Sequence, residues 1–167
     1  DARSAAGDDL ELITRWHTQR ALVLGKSGDL AGAEAEFEHV TPNLQFFSPH
    51  ERCAILLNRG MVAVERGRPG DAVAIFHEGA ALAAEAGLAR QQFMALHNAG
   101  YAAYLTGDLP AALAGMDAAD AIDADVFRGT ALLDRGRVLY EAGLLDEALI
   151  VLGEARVACG RRGHPLT

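Results

Sequence analysis

Three places in this chain carry residue types that could do chemistry. Gly25-Lys26-Ser27 has the ending of a phosphate-gripping loop, in which backbone amides and a lysine hold the phosphates. The rest of that motif is missing. Arg20 stands where its first glycine must be, and the segment ahead reads as helix rather than strand. Asp117, Asp120, Asp123 and Asp125 cluster carboxylates. A calcium loop also needs a glycine at the turn and a bidentate glutamate at a fixed offset, and neither is there, so the cluster reads as a solvated helix end. The histidines (His17, His39, His50, His77, His97 and His164) show no i, i+4 pairing of the kind a zinc site uses. Neither Cys53 nor Cys159 has a histidine at a suggestive spacing, and no serine sits in a nucleophile elbow. No catalytic residue, metal site or cofactor site is expected, and the chain is read as not an enzyme. What remains is recognition chemistry, which needs elements that present side chains side by side.

Composition bounds those elements. The 167 residues suit one domain, long enough to bury a core. Half are hydrophobic and few are aromatic, so helices are favoured over strands and over disorder. The net charge of -8 argues against nucleic acid, whose phosphates need clustered Lys and Arg. Two cysteines make no disulfide framework. No apolar run is long enough to span a membrane, and no signal peptide is visible; a cytoplasmic location is the expectation. Lys26 is the only lysine, a usage typical of high-GC bacterial proteomes. The chain starts at Asp1 rather than methionine, and it is expected to be a piece of a longer protein.

The elements follow from a repeat. Gly28, Gly67, Gly107 and Gly143 recur at spacings of 39, 40 and 36 residues. Seven residues before each stands Ala21, Gly60, Gly100 or Gly136, and five after each stands Ala33, Ala72, Ala112 or Ala148. Further on come Phe37, Phe76, Met116 and Leu152, then Val40, Gly79, Ala119 and Ala155. Eleven before the glycines stand Leu56, Leu96 and Leu132, with His17 in the first unit. Two antiparallel helices approach closely only where both present small residues, and a large residue one turn on fills the space beyond. Each glycine supplies the left-handed residue that ends the first helix of a hairpin. Asp29 and Asp108 can cap the helix that follows, and Ser48-Pro49-His50-Glu51 is a capping box. Eight helices are predicted, at about 9–26, 30–41, 49–66, 70–86, 89–106, 109–122, 125–142 and 145–161. Residues 1–8 are expected to be disordered and 164–167 to be a tail, around one domain at 9–163. The phenylalanines of the long connector, Phe46 and Phe47, are expected to tuck against the stack.

"RGMVAVERGRPGDAVAIF", "AGYAAYLTGDLPAALAGM" and "RGRVLYEAGLLDEALIVL" resemble the core of the tetratricopeptide repeat, whose period is 34 residues. The units here are longer, at about 9–41, 49–86, 89–122 and 125–161. "HNAGYAAYLTGDLPAALAGMDAADA" looks most like the repeat regions ahead of bacterial CHAT protease domains. The resemblance implies an all-α, right-handed superhelix of four helical hairpins whose first helices line a concave groove. The groove residues expected on this projection are Arg15, Gln19, Leu22, Asn58, Met61, Met94, His97, Asn98, Tyr101, Tyr104, Asp134, Arg137 and Tyr140. Asn58 and Asn98 share a repeat position, and an amide both donates to and accepts from a peptide bond. Family members use asparagines there to hold peptides. A clamp for a chaperone's C-terminal carboxylate is not implied, because the third unit offers Met94 and Asn98 where positive charge is needed.

The implied function is a non-catalytic scaffold that binds a protein or peptide segment. The alternative is a regulatory or sensor arm of a larger bacterial signalling protein, either a CHAT-type protease or a transcription regulator, whose groove holds a segment of its own chain. The last helix carries Leu149, Ile150, Val151, Leu152, Val157 and Ala158, apolar around much of its circumference. Further repeats, or a homodimer through this uncapped helix, are the expected ways to cover it.

Overall fold

The turns show how the sequence is strung together. The computed structural model describes residues 2–124 and 128–161, with side chains over 9–124 and 128–160. Helices run α1 Ala2–Ser27, α2 Leu30–Val40, α3 Pro49–Glu65, α4 Pro69–Glu85, α5 Ala89–Leu105, α6 Leu109–Asp120, α7 Gly129–Glu141 and α8 Leu145–Arg161, and among the described residues there is no strand. All four repeat glycines have positive φ, as expected, and so does a fifth, Gly87, between α4 and α5. At each of the five turns the residue after the glycine donates its amide back five residues, from Asp29 to Leu24, Arg68 to Ala63, Leu88 to Ala83, Asp108 to Ala103 and Leu144 to Leu139. That bond satisfies carbonyls a helix end leaves open, and only a residue without a side chain takes the turn without strain.

Helix starts follow their capping residues. Asp29 accepts from the Gly32 amide and Asp108 from that of Ala111. Ser48 and Glu51 exchange bonds around the start of α3, with Pro49 in its first turn. Two expectations at element ends need correction. α1 begins at Ala2, where residues 1–8 were expected to be disordered. α7 begins at Gly129 rather than near 125. Residues 125–127 and the tail 164–167 lie outside the described residues. The connector expected as a loop holds a 3-10 turn, Thr41–Phe46, broken at Asn43; Phe47 beyond it is buried and Phe46 and Leu44 pack against the first core cluster, as expected.

Four antiparallel hairpins stack into an all-helical solenoid: α1 with α2, α3 with α4, α5 with α6 and α7 with α8. The small residues meet where the repeat requires. A methyl at Gly100 would stand 2.7 Å from the Ala112 carbonyl oxygen and 3.1 Å from Met116. A methyl at Gly60 would run into the Phe76 ring, and one at Gly136 would lie 2.6 Å from Leu152. Gly115 comes just as close to Gly100 from the α6 side, so two glycines meet at this crossing. The large residues fill the core beside them: Phe37, Phe76 and Met116 are fully buried, while Leu152 keeps 38% of its surface exposed. Leu56 is buried, but its repeat equivalents Leu96 and Leu132 are only partly so.

In the first unit His17 takes the place of that leucine. Its Nδ1 lies 2.5 Å from Glu36 Oε2, and its ring stacks on His39 with centres 4.6 Å apart. Arg20 also reaches Glu36, at 3.4 Å, and covers the Trp16 ring. Glu36 is buried, so the pair satisfies a carboxylate that would otherwise be costly to desolvate.

Candidate functional site

The first helices of the hairpins, α1, α3, α5 and α7, lie next to one another in order. Between α1 and α3 this side opens into two adjoining depressions. One, of about 210 Å³, is lined by Arg15, Thr18, Gln19, Leu22, Phe47, Glu51, Ala54, Ile55 and Asn58. The other, of about 480 Å³, holds Leu22, Lys26, Asn58, Met61 and Glu65 with small residues and Val62 and Phe37 at its base. Leu22 and Asn58 line both and form the wall they share. Five positions singled out from the sequence, Arg15, Gln19, Leu22, Asn58 and Met61, therefore come together in one cleft.

Several of these side chains are already engaged. Arg15 donates to Glu11 at 2.9 Å, to Glu51 at 3.1 Å and to the Phe46 carbonyl at 3.0 Å, and lies over the Phe47 ring at 5.0 Å. The bonds to Glu11, then Glu51, push its pKa above the ordinary arginine value. Glu51 accepts from the Ser48 amide and hydroxyl and faces Arg15, and these bonds hold its carboxyl at about 2, down from an ordinary 4.5. Arg15 is thus a tether between α1, the connector and α3. Asn58 is exposed and donates to the Ala54 carbonyl of its own helix at 2.7 Å. That uses one amide hydrogen and leaves the carbonyl oxygen and the second hydrogen for other partners. Thr18 is buried and donates to Thr14 one turn back.

The remaining expected positions lie on α5 and α7. Met94 is exposed and Asn98 partly so. Tyr101 and Tyr104 pack against the third core cluster, with ring centres 5.9 Å apart. Tyr140 is 63% exposed, and Arg137 is exposed beside it on the same helix. His97 does not project into open space as its helical position suggested. It is buried, stacked on Phe93, with Nε2 3.2 Å from Asp134 Oδ2, so His97 and Asp134 join α5 to α7. A pairing across 37 residues leaves no local signal in the sequence.

Elsewhere the sequence reading is silent or is filled in by contacts. Asp117 and Asp120 face Arg135 and Arg128, and among the described residues no three His, Cys, Asp or Glu side chains gather as a metal-binding group. Arg128 also donates to the Ile122 carbonyl and covers the Phe93 ring, closing the α6–α7 connection. A depression of about 440 Å³ between α2, α3 and α4 was not anticipated. It mixes Arg59 and Arg68 with Glu34, Glu38, Asp71 and Glu78, a charged wall whose members come from three helices. Cys53 is buried and free, and burial pushes its thiol up from the ordinary value. No helix among the described residues is long and apolar enough to cross a membrane.

No family model matches the chain, and no curated protein matches it. Solved structures similar to it include TPR-like repeats of a putative kinesin light chain from Podosopora anserina. That likeness has 15% identity and a TM-score of 0.43, and covers 89% of this chain and 95% of the other. Another is the MamA protein, at 17% identity and a TM-score of 0.33, covering 90% of this chain and 94% of the other. The solenoid described above rests on its own helix pairing and turn geometry.

Proposed function

We propose that this chain is a non-catalytic scaffold that holds an extended protein segment along the cleft between α1 and α3 and onward across α5. The observation that carries this reading is the pair of adjoining depressions with Leu22 and Asn58 in their common wall. Such a cleft offers apolar floor, an amide for a peptide backbone and a length that an extended chain can follow. Asn98 continues the amide row one repeat on, and Tyr101 and Tyr104 add rigid apolar surface with polar tips. An isolated segment held this way would bind at about -8 kcal/mol, in the micromolar range.

The test is selection from a displayed random-peptide library on the immobilised chain. Peptides that bind the parent should bind the Asn58→Ala/Asn98→Ala variant about tenfold more weakly, a loss of about 1.4 kcal/mol, with helicity by circular dichroism unchanged. Binders that are indifferent to both changes would remove the amide row from the reading, and a library that yields no binder would remove the groove.

A further inference from the structure

The two depressions of the cleft differ in charge. In the smaller one the charges are closed on each other, Arg15 with Glu51 at 3.1 Å. Leu22, Phe47, Ala54 and Ile55 give it an apolar surface, and Gln19 and Asn58 add neutral amides.

The larger depression lies where two helices end. Its lining includes Gly25 and Lys26 at the close of α1, and Met61, Val62 and Glu65 at the close of α3. The C-terminal end of a helix carries partial negative charge and favours a cation. α1 has one there, Lys26; the last turn of α3 has no basic residue and holds Glu65 instead. The arginines that follow are engaged elsewhere, Arg66 with Glu34, and Arg68 with Glu34 and Asp71. Glu65 and Lys26 are exposed, and among the described residues neither enters an ion pair. One ammonium therefore faces a carboxylate and two helix ends, and the excess at this depression is negative.

We propose that the segment held in this cleft is a basic one. A large apolar side chain fills the smaller depression, and a Lys or Arg on the same face of the extended segment, two or four residues along, reaches Glu65 over the larger. This rests on the scaffold reading above and gives it a partner class. Alternate side chains of an extended chain point the same way, so one face addresses both adjoining depressions. The stem of a lysine or arginine is itself apolar and suits a floor of Ala21, Phe37 and Val62. The net charge of -8 draws the same kind of segment from a distance.

Peptides selected from a displayed random library on the immobilised parent, then synthesised, test the proposal. They should share the apolar residue and the basic one at that spacing. Against them Glu65→Gln should bind about threefold more weakly, the size of a partly exposed ion pair, and Lys26→Gln should bind more tightly by a similar factor. Glutamine in place of the peptide's basic residue should bring the same loss against the parent and no further loss against Glu65→Gln. Added salt should shrink these differences. Should Glu65→Gln lose helicity, the change on the peptide decides against the parent alone. Recovered peptides with an acidic or uncharged residue at that place overturn the proposal and leave the cleft standing, as does a helical Glu65→Gln variant that binds as tightly as the parent. A library with no binder removes the cleft reading itself, and this inference with it.

Discussion

The middle of the solenoid and its flanks are built from the same repeat but are packed to different extents. From α3 to α6 the helices are linked by three tight glycine turns, and α4 packs on α5 as closely as either packs within its own hairpin. Among the described residues no ion pair crosses α3–α4, α4–α5 or α5–α6; small residues and buried Phe76, Leu56 and Met116 do the packing. The junctions on either side, α2–α3 and α6–α7, are sparse. Apolar clusters still cross them, Phe37 and Val40 with Val62 and Met116 with Val138, and charge is added: Glu34 to Arg66 and Arg68, and Asp117 and Asp120 to Arg128 and Arg135. Partly exposed ion pairs contribute little to stability, whereas close apolar packing contributes several kcal/mol per buried side chain. One repeat yields a closely packed four-helix centre with a hairpin joined through sparser contacts on each side.

The strongest way to break this contrast is to remove the same repeat side chain in each region. Phe76→Ala in the centre should cost about 3–5 kcal/mol in urea unfolding, as for a fully buried aromatic. Leu152→Ala, at the equivalent place in the last hairpin but 38% exposed, should cost only about 1 kcal/mol, since partial exposure reduces the transfer term. Equal losses would show that the two regions are packed alike.

Crowding at the helix crossings gives a smaller, sharper contrast. At Gly100 a methyl meets backbone on the α6 side, the Ala112 carbonyl and Met116 amide, which cannot move without shifting the helix. At Gly136 the nearest atoms it meets are those of the Leu152 side chain. Overpacking costs about 1–3 kcal/mol, and an alanine in place of a helical glycine returns about 1 kcal/mol of propensity. Gly100→Ala should thus destabilise by about 1–2 kcal/mol, while Gly136→Ala should be neutral or slightly stabilising as Leu152 swings outward. Urea midpoints measured side by side decide it, and an unaffected Gly100→Ala would mean that the central crossing has slack.

Acid gives the mildest test and acts where the first flank meets the centre. Glu51 is held at about 2 against an ordinary 4.5. A lowered folded-state pKa contributes stability that is complete above the ordinary value and is lost as pH falls through the folded one. The Arg15–Glu51 tether and the start of α3 should loosen between pH 4.5 and 2, seen as faster amide exchange there, while the α4–α5 contact stays protected. Ser48→Ala removes the hydroxyl bond to Glu51 while keeping the stronger one from the Ser48 amide, and should move the loosening part of the way to higher pH. A Glu51 carboxyl that titrates near 4.5 by NMR would deny the tether.

Much of the fold was legible because its signals are local. Gly28, Gly67, Gly107 and Gly143 mark turns through a backbone conformation that one residue type favours, and Ser48 through Glu51 mark a helix start within four residues. Gly87 was missed because it closes a turn between hairpins, outside the small-and-large pattern that drew attention to the others. The cleft was legible in part. Arg15, Gln19, Leu22, Asn58 and Met61 follow from helical projection, yet projection says nothing of what each side chain touches. Arg15 is held by residues 31 to 36 positions away, and His97 by Asp134 across the α5–α7 boundary.

By itself the sequence determined the hairpins, since glycine conformation, capping and the spacing of small and large residues act within a few turns of chain. Only the tertiary structure decided how the hairpins divide into a tight centre and looser flanks, and which polar side chains are spent on holding helices together. The reason is that contacts between hairpins join residues tens of positions apart, whose partners depend on the angle and distance at which whole helices meet.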